Sequence, residues 1–152
     1  MKGCVAMSKL KILIPLDGSK RSMQSLDWLK KSVTPKDVEV TLFHVIEAIR
    51  SKETFSIQDV ETTGLKSKEI LDKAADKLEG YKVEKLSTNF KVNKLNTWGY
   101  SADLILEEAR KGNYDMIIMT KSSEKGGISR IIGSITHKVV RDSEVAVVVI
   151  PE

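Results

Sequence analysis

The strongest constraint in this sequence is an alternation. Short runs rich in β-branched residues recur along the chain, and stretches of helical spacing separate them. Leu10 to Leu16 reads LKILIPL, a strand buried on both faces, and Pro15 suits a strand that is finishing. In the DGSKRSMQSLDWLKKSV that follows, Met23, Leu26, Leu29 and Val33 share one helix face, with Ser19 as the expected N-cap. The turn TPKD leads into a second strand, Val38 to Ile46. Residues 47–59 are polar and unpatterned and read as a long loop. A helix is expected over Val60 to Leu78, with Leu71, Ala74, Ala75 and Leu78 as its apolar stripe. Gly64 weakens its first turns, and Gly80 is the expected terminator.

The third strand is placed at Thr88 to Leu95, where NFKVNKL alternates, and Gly99 makes the next turn. Ser101 is expected to cap a helix that buries Ala102, Ile105, Leu106 and Ala109, and Gly112 to end it. Tyr114 to Met119 forms the fourth strand. Ile131 or Ile132, Ile135 and Val139 mark a last helix, and Val145 to Ile150, VAVVVI, forms the fifth strand. This order predicts an α/β fold: a single doubly wound domain whose five-stranded parallel sheet runs 3-2-1-4-5 with helices on both faces.

The length of 152 residues suits one domain. Such a domain buries roughly 70% of its unfolded surface and needs no metal, disulfide or cofactor to fold. The domain is expected over residues 9–152, with residues 1–8 an N-terminal extension outside the ordered body and Met7 an alternative start. Cys4 is the single cysteine, so an intrachain disulfide is excluded. MKGCVAM is too short and too weakly apolar for a secretory signal, which makes the cytoplasm the expected location. No apolar run reaches the length of a membrane span. The 25 basic and 21 acidic side chains, a net of +4, are mixed in sign along the chain. KSKEILDKAADKLE is typical, and it reads as a solvated helix face rather than a nucleic-acid stripe.

In a 3-2-1-4-5 sheet the winding reverses between the first and fourth strands, and ligands bind there at the carboxyl ends. The loops at that point are DGSKRS and TKSSEKGGISRIIGS, the most glycine- and serine-rich of the chain. Gly133 and Ser134 fall at the start of the last helix, where backbone N–H groups and the helix dipole favour phosphate. Lys121, Lys125 and Arg130 could add charge. The alternative is a mobile surface loop, and Asp17-Gly18-Ser19 is equally turn and cap chemistry. His44 is expected as a satisfied, half-buried group, and His137 within the last helix. Neither has partners at metal-ligand spacing.

The chain resembles the universal stress protein family from Leu10 to Pro151. The resemblance rests on ILIPLDGSKRSMQSLDWL, VTLFHVI, GYSADLILEEA and YDMIIMTKSSEKGGISRIIGSITHKVVRDSEVAVVVIPE, in that order. It implies a small cytoplasmic α/β protein, dimeric through its last strand, Val145 to Ile150. An exposed edge as apolar as VAVVVI also calls for a cover on physical grounds. One branch of the family binds ATP through Gly, two residues, Gly, nine residues, then Gly and Ser or Thr. Here those positions hold Thr120, Ser123, Gly133 and Ser134, so the spacing is intact and the first two glycines are absent. Gly126 and Gly127 lie inside the nine-residue stretch and do not replace them.

The resemblance implies a non-enzymatic regulatory module that binds an adenine nucleotide (ATP, ADP or AMP), with Mg²⁺ arriving on the phosphates. Asp17 and Val45 would meet the base end. Gly18, Ser19, Met119, Thr120, Lys121, Ser123, Gly133 and Ser134 complete the expected site. Any ATP hydrolysis would be slow and incidental, because no base or arginine finger is identifiable. If Thr120 or Ser123 must adopt positive φ, its Cβ is penalised, and restoring glycine at both should tighten binding. The rival reading is an interaction protein of the same fold that has lost nucleotide binding. A flavin or dinucleotide enzyme lacks the required GxGxxG turn after the first strand.

Overall fold

The computed structural model describes residues 9–33, 37–47, 56–84, 91–121 and 132–151. Residues 1–8, with Cys4 and Met7, lie outside that set, as do Ser123, Lys125, Gly126, Gly127, Arg130 and Ile131. The described chain runs β1 (Leu10–Leu16), α1 (Gln24–Ser32), β2 (Val38–Glu47), α2 (Ile57–Glu84), β3 (Lys91–Gly99), α3 (Ser101–Lys111), β4 (Met116–Thr120), α4 (Ser134–Asp142) and β5 (Ala146–Ile150). The strands form one sheet in the order β3-β2-β1-β4-β5, and every recorded pairing is parallel. That is the expected doubly wound topology.

The sheet separates two apolar layers. Ile12, Ile14, Val40 and Leu42 face Leu26 and Leu29 of α1 and Leu71, Ala74 and Leu78 of α2. Leu13, Phe43, Val45 and Ile117 face Ala102, Ile105 and Ala109 of α3 and Val139 of α4. Successive side chains of a strand point to opposite faces, so β1 and β2 feed both layers and are mostly apolar along their length. The helix pairs follow from right-handed crossovers that wind one way from β1 to β3 and the other way from β3 to β5.

Several boundaries differ from expectation for local reasons. Ser19 does not cap α1. Its Oγ accepts from Ser22 N at 3.0 Å in a separate turn, and α1 begins later, with Met23 at its N-cap. The segment expected as loop to Asp59 already belongs to α2 from Ile57. Ser56 Oγ accepts from Asp59 N at 3.1 Å and Asp59 Oδ2 accepts from Ser56 N at 3.0 Å, a reciprocal cap. Gly80 does not end α2, which continues to Glu84; a glycine weakens a helix by only about 1 kcal/mol and needs another reason to stop it.

β3 covers Lys91–Gly99 and keeps the full register with β2 up to Glu47↔Gly99, so Trp98 and Gly99 are strand rather than turn. Ser101 is the first residue of α3 and not its cap; its hydroxyl donates to Glu47 Oε1 at 2.8 Å. Gly112 does end α3, but the left-handed conformation falls on Asn113 (φ 51°). Ile132 and Ile135 are exposed instead of buried, and Val139 and Thr136 turn inward. β4 begins at Met116 and reaches Thr120, and β5 begins at Ala146.

Candidate functional site

A cleft of about 230 Å³ opens at the carboxyl ends of β1, β2 and β4, on the α3–α4 side of the sheet. Pro15 and Leu16 of β1 and Asp17 just after it border the cleft, with Phe43 and Val45 from β2, and Met119 and Thr120 from β4. Ser101 and Ile105 enter from α3, and Gly133 to Thr136 from α4. This is the reversal point of the winding, where both neighbouring crossovers turn away and leave the strand ends uncovered.

The two ends of the cleft differ chemically. Phe43, Val45, Ile105 and Met119 are buried apolar side chains of one layer and form an apolar wall. The opposite wall is the start of α4. Its first intrahelical bond runs from His137 N to Gly133 O (2.8 Å), so the N–H groups of Ser134, Ile135 and Thr136 have no carbonyl within the helix. Gly133 offers no capping side chain, and α4 has no acidic residue in its first turn. The other three helices carry Asp27, Asp59 and Asp103 in theirs. The positive end of the α4 dipole therefore meets no acid from the first turn of its own helix. Thr136 Oγ1 donates to Thr120 O at 3.1 Å and ties this helix end to the tip of β4.

Asp17 sits on the rim. Its Oδ1 accepts from Ser19 N at 2.8 Å, which closes a short turn through Gly18. Gly18 has φ 81°, and a Cβ there would lie 2.7 Å from Ile70 Cδ1 of α2. Both facts give Gly18 a structural role: it lets the chain turn under α2.

Of the expected site residues, Asp17, Val45, Met119, Thr120, Gly133 and Ser134 converge on the cleft. Gly18, Ser19 and Lys121 are not in its lining, and Ser123 lies outside the described residues. Gly18 is held under α2, Ser19 is engaged with Asp17 and Ser22, and Lys121 N donates to Ile150 O at 3.1 Å. Thr120 is an ordinary β4 residue and not among those with positive φ, so its β-branch carries no backbone penalty.

Phe43, Ser101, Ile105 and Thr136 were missed by sequence reasoning. Phe43 could have been found from Val45, because residues two apart share a strand face. Ser101 and Ile105 are four apart on the first turns of a helix, a spacing that marks one face but not what the face meets. His44 is half-buried as expected, with Nδ1 2.7 Å from Ser67 Oγ. Among the described residues no group of three or more His, Cys, Asp or Glu could hold a metal. No helix among them is long and apolar enough to cross a membrane.

A doubly wound parallel sheet with a cleft at its switch point defines a small α/β protein. The chain belongs to the universal stress protein family, whose model matches residues 10–151. Universal stress protein MJ0577 of Methanocaldococcus jannaschii is 30% identical over 152 residues, covering 92% of this chain and 93% of that one. The solved structure of MJ0577 superposes with a TM-score of 0.67 at 28% identity, over 95% of this chain and 96% of that one. A family member from Arabidopsis thaliana, solved with AMP bound, gives a TM-score of 0.67 at 15% identity, over 93% and 90% of the two chains. Another universal stress protein, in complex with cAMP, gives 0.66 at 15% identity, over 95% and 98%. At that identity the last two share the fold.

Proposed function

We propose that this protein binds one adenine nucleotide in the cleft, base against the Phe43–Val45–Ile105–Met119 wall and phosphate at the start of α4. The observation that carries the reading is the pairing of an apolar wall with N–H donors at Ser134–Thr136 that have no acceptor within the helix. A purine needs the first, and an anion needs the second. The AMP and cAMP complexes of the two family members support the ligand class. A volume of about 230 Å³ lies just under the usual range of roughly 300–1,000 Å³ for small-ligand sites, which favours a mononucleotide over a dinucleotide. Among the described residues of the lining, Asp17 is the one ionisable side chain, and we read the site as binding rather than catalytic. Mg²⁺ would enter with the phosphates of ADP or ATP, which supply most of its ligands. The compartment this reading assigns is the cytoplasm.

The same reading makes the protein a homodimer. β5 is an edge strand whose Val147, Val148 and Val149 are half-exposed, and pairing with a second β5 would cover them. Isothermal titration with AMP, ADP and ATP, with and without Mg²⁺, tests the nucleotide proposal. Saturable binding of one nucleotide per chain is expected. No heat at millimolar nucleotide from a folded protein would refute it and favour an interaction protein that has lost the ligand.

A further inference from the structure

One polar side chain of the cleft has its hydrogen already committed. Ser101 opens α3 and lines the cleft one helical turn from Ile105 of the apolar wall. Its hydroxyl donates to Glu47 Oε1 at 2.8 Å. Glu47 is the last residue of β2 and alternates with Phe43 and Val45, so all three share the cleft face of the strand. The turn between β3 and α3 builds this contact. Gly99 pairs in register with Glu47 at the end of the sheet. Gly99 has φ 149°, and a Cβ there would lie 2.7 Å from Leu104 Cδ1, so the position is reserved for glycine. Two residues later the chain sets Ser101 against the tip of β2.

A hydroxyl has one hydrogen and two lone pairs, and a carboxylate only accepts. Bonded to Glu47, Ser101 Oγ has only lone pairs left for a ligand. We propose that Ser101 is a specificity-determining residue of the nucleotide site: held as an acceptor by Glu47, it takes a hydrogen from the exocyclic 6-amino group of adenine and disfavours 6-oxo purines. This deepens the nucleotide reading above and rests on it. Ser101 shares a face of α3 with Ile105, which belongs to the wall assigned to the base, whereas the N–H groups assigned to phosphate are on α4. Ser101 therefore meets the base end of the ligand. A 6-amino group brings hydrogens to the waiting lone pairs. A 6-oxo group brings lone pairs against lone pairs, and Ser101 can donate to it only by giving up Glu47. Glu47 is a positioning residue: it stands exposed at the rim, outside the cleft lining, and acts through the Ser101 hydrogen.

Titration calorimetry with AMP and with inosine monophosphate (IMP), its 6-oxo counterpart, provides the test. The unaltered protein should bind AMP about tenfold more tightly than IMP. Ser101→Ala should weaken AMP by about tenfold and leave IMP unchanged. Glu47→Ala frees the hydroxyl to donate, so IMP should gain about threefold while AMP changes by less than about twofold. A contact that only steadied the start of α3 would move both nucleotides together and would not strengthen IMP. Equal affinity of the unaltered protein for AMP and IMP, a parallel loss of both in Ser101→Ala, or no gain of IMP in Glu47→Ala overturns the proposal. If neither nucleotide binds the unaltered, folded protein, the nucleotide reading falls and the role of Ser101 falls with it, whereas AMP binding without discrimination leaves that reading standing and removes only this one.

Discussion

Placing a carboxylate at position 134 should move stability and affinity in opposite directions. Ser134 is exposed, opens α4 and sits beside N–H groups that have no intrahelical acceptor. In Ser134→Asp the new charge meets the positive end of a helix that has no first-turn acid to compete. Such a contact stabilises by about 0.3–1 kcal/mol. For a domain of this size that raises Tm by roughly 1–3 °C. A nucleotide phosphate at the same helix end would meet the carboxylate at about 5 Å. At an effective dielectric of about 40, between protein surface and bulk water, each phosphate charge costs roughly 1.7 kcal/mol. AMP affinity should therefore drop by about 20-fold for a singly charged phosphate and about 300-fold for a doubly charged one. Adenosine has no phosphate and should bind as before. Differential scanning calorimetry and titration with AMP and adenosine measure all three quantities. Unchanged AMP affinity would place the phosphate elsewhere. An equal loss for AMP and adenosine would mean that the substitution damages the cleft itself, and the reasoning from the helix end would fail.

The remaining predictions address other links. Gly18→Ala should destabilise by about 1–3 kcal/mol in urea unfolding, since it combines positive φ with a 2.7 Å approach to Ile70. Adding Ile70→Val, which removes Cδ1, should recover part of that loss. Thr120→Gly alone should not tighten AMP and should lower stability by about 1 kcal/mol, because Thr120 is unstrained in β4. The folded-state pKa of His44 is lowered, so the unfolded chain binds more protons near the ordinary histidine range. Stability should therefore fall as pH drops below about 6.5, and His44→Asn should flatten that slope in denaturant melts taken from pH 5 to 8. Val149→Lys, at a half-exposed β5 position, should shift the protein from dimer to monomer by light scattering, and a dimer that persists would locate the interface elsewhere.

The sequence by itself determined the element types and their order. β1, β2 and β5 are legible because helices lie on both faces of the sheet, which makes their strands mostly apolar instead of strictly alternating. α3 is legible because Ala102, Ile105 and Ala109 recur at helical spacing. Those elements, with right-handed crossovers, restrict the sheet to few orders and point to the β1–β4 reversal. β3 was least legible because it is an edge strand with mostly exposed side chains, so little burial selects its pattern. Where helices start and stop was decided by hydrogen bonds that spacing does not show, such as the Ser56–Asp59 cap and the Ser101–Glu47 contact. Tertiary structure alone brought Phe43, Ile105, Thr136 and Asp17 to one cleft, and set His44, Ser67 and Asn96 in one hydrogen-bonded row. Periodicity states which residues share a face of one element. Which faces meet depends on how strands and helices pack, and that is settled only when the whole chain closes on its core.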